Sequence, residues 1–115
     1  MKPSTTAKLL RIFVGESDRH GGQPLYIAIV EQARHAGLSG ATVFKGIEGF
    51  GGHSVVHAAR IFDLSTDLPI LIEIVDEEPK IRGFIATIDG MIREGLITLE
   101  TVEMIAYKSG APKPR

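Results

Sequence analysis

Pro69-Ile-Leu-Ile-Glu-Ile-Val-Asp76 is the stretch that decides the fold, because it is the clearest β-strand of the chain. Its β-branched and aliphatic side chains alternate between the two faces of a strand, and both faces are apolar. Asp76-Glu-Glu-Pro79 follows directly and places acids and a proline where a helix begins. The stretch therefore predicts a strand that leads into a helix.

The chain after Pro79 shows an apolar stripe at helical spacing. Its members are Ile81, Phe84, Ile85, Ile88, Met91 and Ile92. We predict that this helix ends at Gly95-Leu96, where a left-handed cap with a hydrophobic contact is expected. Leu99 to Tyr107 is then predicted to form the last strand.

The first half of the chain has the same order of elements. Leu9 to Val14 predicts a strand, and a polar loop from Glu16 to Gln23 leads to a helix over Pro24 to Ala36. This helix ends at Gly37-Leu38, and Ala41 to Ile47 predicts a second strand. The order βαββαβ indicates the α+β class with a ferredoxin-like fold, in which two helices cover one face of a four-stranded antiparallel sheet.

We expect residues 1–115 to form a single domain, with an ordered core at about 8–108 and tails at 1–7 and 109–115. The sheet face opposite Leu10, Ile12, Ile70 and Ile72 has four apolar side chains. These are Leu9, Phe13, Leu71 and Val75. A face this apolar predicts burial against copies of the same chain, with Arg11, Glu73 and Glu103 as paired charges. The alternative is that a tail or the long loop covers it.

Composition excludes several classes of function. The net charge of −1, from 13 basic and 14 acidic residues, gives no general field for nucleic acid or an anionic membrane. The absence of cysteine excludes disulfides, thiolate metal sites and cysteine nucleophiles. Because the sequence shows neither the apolar segment of a signal peptide nor a run of about 20 apolar residues, we expect no membrane insertion and a cytoplasmic protein.

The segment Glu48-Gly-Phe-Gly-Gly-His-Ser-Val-Val-His-Ala-Ala-Arg60 interrupts two strand-like regions. Its glycines, histidines and arginine are typical of a mobile loop that faces a ligand. Gly49-Phe50-Gly51-Gly52 can turn backbone N–H groups toward a phosphate, although a plain flexible turn is the alternative. Phe50 is a candidate to stack on a base or to anchor the loop.

Other residue groups suggest different chemistry. His53 and His57 are four residues apart and, with His20 or Glu48, are candidate ligands of a divalent metal in a trimeric regulator; two solvated histidines are the alternative. Ser54, His57 and Asp63 have the residue types of a hydrolase triad. They lack a nucleophile elbow and a defined oxyanion hole, so we predict no enzyme.

Two further sites have polar residues beside apolar strands. Asp18 and Arg19 lie where the first strand ends and are candidates to bind ligand hydroxyls or phosphate, with a solvated loop as the alternative. Glu73 lies inside the apolar stretch Ile70 to Val75, so it needs a partner if a neighbouring chain buries it. A structural ion pair is its first interpretation and a ligand contact its second.

Three segments, in this order and separation, resemble PII signalling proteins. They are Gly40-Ala-Thr-Val43, Glu48-Gly-Phe-Gly-Gly-His53 and Leu68-Pro-Ile-Leu-Ile-Glu-Ile-Val75. Leu10-Arg-Ile-Phe-Val-Gly-Glu-Ser-Asp18 and Gly21-Gly-Gln-Pro-Leu-Tyr26 are more similar to the PII-like family catalogued as domain of unknown function 190. The likeness covers about Leu9 to Tyr107.

The resemblance implies a homotrimer that binds an adenine nucleotide (AMP, ADP or ATP) in clefts between subunits and requires no cofactor. It also implies that the ligand reshapes the 48–60 loop, through which an unidentified target protein is recognised. The resemblance implies that Thr42 lies beside the ligand and that the loop base holds the phosphates. The loop-base residues are Gly49, Phe50, Gly51, Gly52 and His53. Glu73 and Val75 lie on the equivalent strand, and the backbone of Val75 contacts the adenine edge.

The chain departs from the PII pattern at the phosphate end. PII proteins have a loop with glycine and lysine before the last strand and paired arginines near its end, whereas this chain has Glu94-Gly-Leu-Ile-Thr98 and Ala106-Tyr-Lys108. Asp18, Arg19 and His20, or Arg60, are therefore candidates to supply polar and charged contacts. The long loop is also shorter and lacks the tyrosine that is modified in some PII proteins.

Overall fold

The computed structural model describes residues 4–51, 57–58 and 67–110. Its main sheet and helices consist of six elements. In chain order they are β1 (Thr5–Gly15), α1 (Leu25–His35), β4 (Thr42–Lys45), β7 (Pro69–Asp76), α2 (Glu78–Ile88) and β8 (Leu96–Met104). Four two-residue strands form small hairpins: β2 (Arg19–His20) with β3 (Gln23–Pro24), and β5 (Glu48–Gly49) with β6 (His57–Ala58).

The main sheet has the strand order β4-β7-β1-β8, and all neighbouring strands are antiparallel. β1 lies in the centre, because residues 8–15 pair with β7 and residues 5–13 pair with β8. The order βαββαβ of the six main elements matches the prediction, and the ferredoxin-like α+β fold is confirmed.

One face of the sheet packs against both helices. On β7, Ile70, Ile72 and Ile74 are buried, while the residues between them are half-buried. The helices contribute fully buried Ile29 and Phe84 to the same core. Each such side chain contributes about 2 kcal/mol through burial of its apolar surface, so this single layer between sheet and helices stabilises the fold.

The second helix and last strand differ from their predicted bounds. α2 ends at Ile88 and is followed by a 3₁₀ turn over Asp89–Met91, so the predicted helix end at Gly95 is wrong. Asp89 and Gly90, two successive residues of low helix propensity, lie in this turn. The predicted bounds of the last strand, Leu99 to Tyr107, are wrong at both ends. β8 begins at Leu96, which pairs with Phe13, and ends at Met104, which pairs with Thr5 at the start of β1.

The first helix ends as predicted, and the loop before it has more structure than predicted. Gly37 has φ 77°, and the N–H of Leu38 donates to Ala33 O at 3.1 Å, which is the expected glycine cap. In the predicted loop, Gly21 and Gly22 have φ values of 58° and 82°. Two successive positive φ values suit a tight hairpin turn and allow β2 to pair with β3.

Candidate functional site

The chain at the beginning of the 48–60 loop contacts Pro69, the first residue of β7. The N–H of Gly46 donates to Pro69 O at 2.7 Å. A Cβ atom added to Gly46 would lie 2.6 Å from Pro69 Cγ, and one added to Gly49 would lie 3.0 Å from it. The proline ring therefore lies where a Cβ atom at position 46 or 49 would be, so glycine fits best at both positions. Farther along, Gly49 pairs with His57 in the β5–β6 hairpin.

The segment after β1 contacts residues that precede and residues that follow this loop. The N–H of Glu16 donates to Leu68 O at 2.9 Å, and the N–H of Ser17 donates to Asp67 Oδ1 at 2.9 Å. The Glu16 carboxylate forms an ion pair with Lys45 Nζ at 2.7 Å. These contacts fix the loop base relative to the end of β1.

A pocket of about 420 Å³ lies beside this loop base. Its lining includes Gly49–Gly51 of the loop base and Glu94–Leu96 at the start of β8. Asp18, Asp67 and Phe13 also line it. The resemblance assigns phosphate contacts in PII proteins to these same two regions, namely the loop base and the connection before the last strand.

The charged side chains of this pocket are all acidic. Among the described residues that line it, Asp18, Asp67 and Glu94 bear carboxylates, and none is a lysine, arginine or histidine. Two of these carboxylates accept backbone hydrogen bonds, since Asp18 Oδ2 accepts from Gly15 N at 2.9 Å and Asp67 Oδ1 accepts from Ser17 N.

Thr42, Glu73 and Val75 lie together on the sheet face that points away from the helices. Thr42 pairs directly with Glu73 across β4 and β7, and Val75 lies two residues farther along β7. The carbonyl of Val75 accepts a hydrogen bond from Ser39 Oγ at 2.8 Å. The structure brings these three predicted residues to one region of the β4–β7 pair.

Glu73 forms an ion pair with Arg11, as its first interpretation predicts. Arg11 Nε lies 2.9 Å from Glu73 Oε2, and its Nη1 lies 2.8 Å from Glu100 Oε1. The hydrogen bond to Glu73, supported by Glu100, raises the pKa of Arg11. The prediction of Glu103 as a member of this group is wrong: it pairs with Thr6 on the helix-facing side and accepts from Ser4 Oγ.

The other residues predicted in the first loop are separated from the pocket. Asp18 lines it, whereas Arg19 and His20 lie on the small hairpin beside a second cavity of about 540 Å³. Arg19 Nη2 donates to Gly22 O of its own hairpin at 2.7 Å. Asp18 and Glu94 line both cavities, and Arg93 joins Arg19 and His20 in the lining of the second. The contact of Arg19 and His20 with ligand stays a prediction.

Several predicted residues lie outside the described part of the chain. They are Gly52, His53, Ser54, Arg60 and Asp63, and His57 is described only through its backbone. Across residues 4–51 and 67–110, no group of three or more histidine or acidic side chains is arranged to hold a metal. The same ranges contain no helix long and apolar enough to cross a membrane.

Sequence reasoning missed Asp67 and Pro69 as parts of the site. Asp67 precedes β7 and Pro69 is its first residue. Their local sequence does not indicate that Asp67 contacts residues 15–18 or that Pro69 contacts residues 46–49. The sequence predicts a helix cap at Gly95, but a Cβ there would lie 2.7 Å from Phe13 O. Its close approach to β1 is a tertiary contact, which local periodicity does not reveal.

Replacement of Gly46 by alanine is expected to lower the free energy of unfolding by about 1–3 kcal/mol, because the new Cβ overlaps Pro69. Chemical denaturation measures this change. Gly83→Ala is the matched control: apart from its chain neighbours and the nearby backbone of its own helix, nothing lies within 4 Å of its added Cβ, and alanine favours the helix by up to about 1 kcal/mol. If Gly46→Ala and the parent protein had equal free energies of unfolding, the close contact between Gly46 and Pro69 would be contradicted.

The sheet face that bears Glu73 is also apolar. Leu9, Leu71 and Val75 are half-buried there, and Phe44 and Phe13 keep 48% and 36% of their surface exposed. The described tail residues 105–110 are exposed and lie beyond the end of β8. We call Leu9, Phe13, Phe44, Leu71 and Val75 the open face.

Solved structures with the same fold are PII-like. CPII from Thiomonas intermedia K12, bound to ADP and bicarbonate, superposes with a TM-score of 0.67 at 15% identity, over 90% of this chain and 92% of that one. CPII bound to ADP, AMP and bicarbonate superposes with a TM-score of 0.68 at 14% identity, with the same coverage. A putative PII-like signaling protein from Thermus thermophilus superposes with a TM-score of 0.64 at 16% identity, over 90% of this chain and 94% of that one.

Two relatives have higher sequence identity. A UPF0166 protein of Aquifex aeolicus (strain VF5) is 46% identical over 98 residues, which are 85% of this chain and 92% of the relative. A UPF0166 protein of Methanocaldococcus jannaschii is 39% identical over 94 residues, or 81% and 86% of the two chains. The model of the DUF190 family, described as "Uncharacterized ACR", matches residues 7–104. The resemblance noted from sequence is thereby confirmed, and this chain with its PII-like fold belongs to the DUF190 family.

Proposed function

We propose that this chain is a regulatory protein that assembles as a PII-like homotrimer and binds an adenine nucleotide in the clefts between its subunits. The nucleotide changes the conformation of the 48–60 loop, and a target protein recognises the difference. The ligand is sensed and undergoes no reaction, so the protein acts without catalysis.

One observation is the main support: the predicted ligand contacts follow one open edge of the sheet and lead to the loop base. β4 is the outermost strand at this edge, and all four of its residues are exposed. Thr42, Glu73 and Val75 lie at one end of the β4–β7 pair, and Gly49–Gly51 lie at the other. A second subunit beside β4 would convert this edge into a cleft.

The open face supports the trimer. Soluble monomers rarely expose a large contiguous apolar patch, and a closed symmetric assembly buries such a face. The Arg11–Glu73–Glu100 ion pairs lie on the same face, so its main charged groups are already paired within each subunit. The CPII structures provide the ligand class, because those proteins bind ADP, and ADP with AMP, on the same fold.

The loop base supports a conformational response. Because Pro69 fills the space beside Gly46 and Gly49, a ligand that moves Gly49–Gly51 must also shift their contact with the start of β7. Glu16 and Ser17 are hydrogen-bonded to the neighbouring residues Leu68 and Asp67, so the first loop would shift as well. This arrangement links occupancy of the site to the position of the 48–60 loop.

Calorimetric titration with AMP, ADP and ATP, with light scattering on the same sample, tests the proposal. We expect a mass of three chains and saturable binding of at least one nucleotide, at one ligand per chain. Absence of binding by all three nucleotides would remove the ligand from the proposal, and a monomeric mass would remove the intersubunit cleft.

A further inference from the structure

Asp76, the last residue of β7, joins two connections of the fold. Among the described residues it is the one charged side chain that is buried, with 7% of its surface exposed. Its Oδ2 accepts a hydrogen bond from Ser39 N at 2.9 Å, and its Oδ1 accepts one from Glu77 N at 2.7 Å. A buried carboxylate is costly unless it is hydrogen-bonded, so these backbone donors stabilise its burial. Asp76 thereby fixes the connection between α1 and β4 to the end of β7.

Ser39 is held a second time, through its side chain. Its Oγ donates to Val75 O at 2.8 Å, so two successive residues of β7 hold the backbone and the hydroxyl of one residue. Ser39 lies shortly before Thr42, the first residue of β4. We call the hydrogen bonds of Ser39 to Asp76 and to Val75 the Ser39 clamp.

The strand register shows which contact the clamp replaces. Because Pro69 O accepts from Gly46 N, the backbone of Pro69 faces β4, and in an antiparallel ladder every second residue along β7 does the same. Val75 is therefore oriented toward the β4 side. The β4–β7 ladder ends before Val75, where Thr42 pairs with Glu73. The Ser39 hydroxyl thus bonds the carbonyl that a longer β4 would use, and it closes the ladder at this end.

The short edge strand β4 depends on contacts at its two ends. It has four exposed residues, and β7 is its one neighbour in the described sheet. At the end near the long loop, the hydrogen bond from Gly46 to Pro69 continues the ladder. At the Thr42 end, the Ser39 clamp has the same role. Loss of the clamp should therefore release the Thr42 end and leave the other end in place.

We propose that Ser39 and Asp76 are positioning residues of the nucleotide site: Asp76 holds Ser39, and Ser39 fixes the Thr42 end of β4 beside Val75. This inference rests on the proposed function, in which Thr42 and Val75 contact the ligand. Neither positioning residue has to touch the nucleotide. Because the clamp orders this end of the site before a ligand arrives, its loss adds an ordering cost to binding.

Amide hydrogen exchange on the ligand-free protein tests the clamp itself. Ser39→Ala removes the hydroxyl bond to Val75 and keeps the backbone bond. We expect about fivefold faster exchange of the Thr42 and Glu73 amides, the effect of losing one hydrogen bond. The Phe44 amide should keep the parental rate, and Ser39→Thr, which retains the hydroxyl, should match the parent throughout. Parental exchange of Thr42 in Ser39→Ala overturns the clamp.

Calorimetric titration with AMP, ADP and ATP tests the effect on the ligand. Each nucleotide that binds the parent should bind Ser39→Ala about fivefold more weakly, whatever its number of phosphates. Asp76→Asn, which turns an amide NH₂ toward one of its backbone donors, should show a similar loss, and Ser39→Thr should keep the parental affinity. Parental affinity in Ser39→Ala, or a loss that Ser39→Thr shares, overturns the positioning role. Failure of all three nucleotides to bind the parent instead overturns the proposed function, and the exchange experiment still decides whether the clamp holds β4.

Discussion

Phe44→Glu is expected to convert the proposed trimer into monomers. Phe44 pairs with Leu71 on the open face and keeps 48% of its surface exposed in the single subunit, so a charge there is tolerated by the isolated fold. In the assembled trimer the same carboxylate would be buried without a partner, which costs about 3–5 kcal/mol per site. Light scattering should show a threefold fall in mass, and circular dichroism should show unchanged secondary structure.

Ile27→Glu is the control for this substitution. Ile27 lies on α1 and is 38% exposed, away from the open face, so the same apolar-to-acid change should leave the trimer intact. A trimeric Phe44→Glu variant would show that the open face is not the subunit interface. Dissociation of both variants would point to a general effect of added charge.

Phe84→Ala is expected to produce the largest loss of stability in the core. Phe84 is 2% exposed and packs between α2 and the sheet with Ile72 and Ile74. Truncation removes a buried ring and leaves a cavity, which costs about 3–5 kcal/mol. Since domains of this size are stable by about 5–15 kcal/mol, chemical denaturation should show a midpoint shifted far toward low denaturant.

Phe50→Ala is the matched control, because Phe50 is 75% exposed at the loop base. Its effect on the free energy of unfolding should stay within about 0.5 kcal/mol. The variants must be compared at one protomer concentration, since oligomerisation adds to apparent stability. Equal losses in the two variants would contradict the assignment of Phe84 to the core.

The local spacing of apolar residues in the sequence was sufficient to predict the main helices and strands. The strand Pro69–Asp76 has its predicted bounds, because its alternating apolar residues are buried on one face and half-buried on the other. The Gly37-Leu38 cap formed as predicted. The second helix was predicted too long, since Met91 and Ile92 continue the apolar stripe beyond the point where Gly90 permits a 3₁₀ turn.

The candidate site was predictable only in part. The register confirms that Thr42 lies beside Glu73, and the loop glycines line a pocket. The contacts of Pro69 with Gly46 and of Asp67 with Ser17 join segments far apart in sequence, so no periodicity indicates them. The acidic character of the pocket likewise emerges when Asp18, Asp67 and Glu94 converge from three separate connections.

A crystal structure grown with AMP is the most direct test of the central claim, that a nucleotide binds between subunits of a trimer. The account predicts a homotrimer with its open faces buried and one AMP beside each β4 edge, with its base near Thr42 and Val75 and its phosphate directed toward Gly49. An assembly whose interface leaves the open face exposed, or an AMP molecule that contacts a single subunit away from β4, would contradict it.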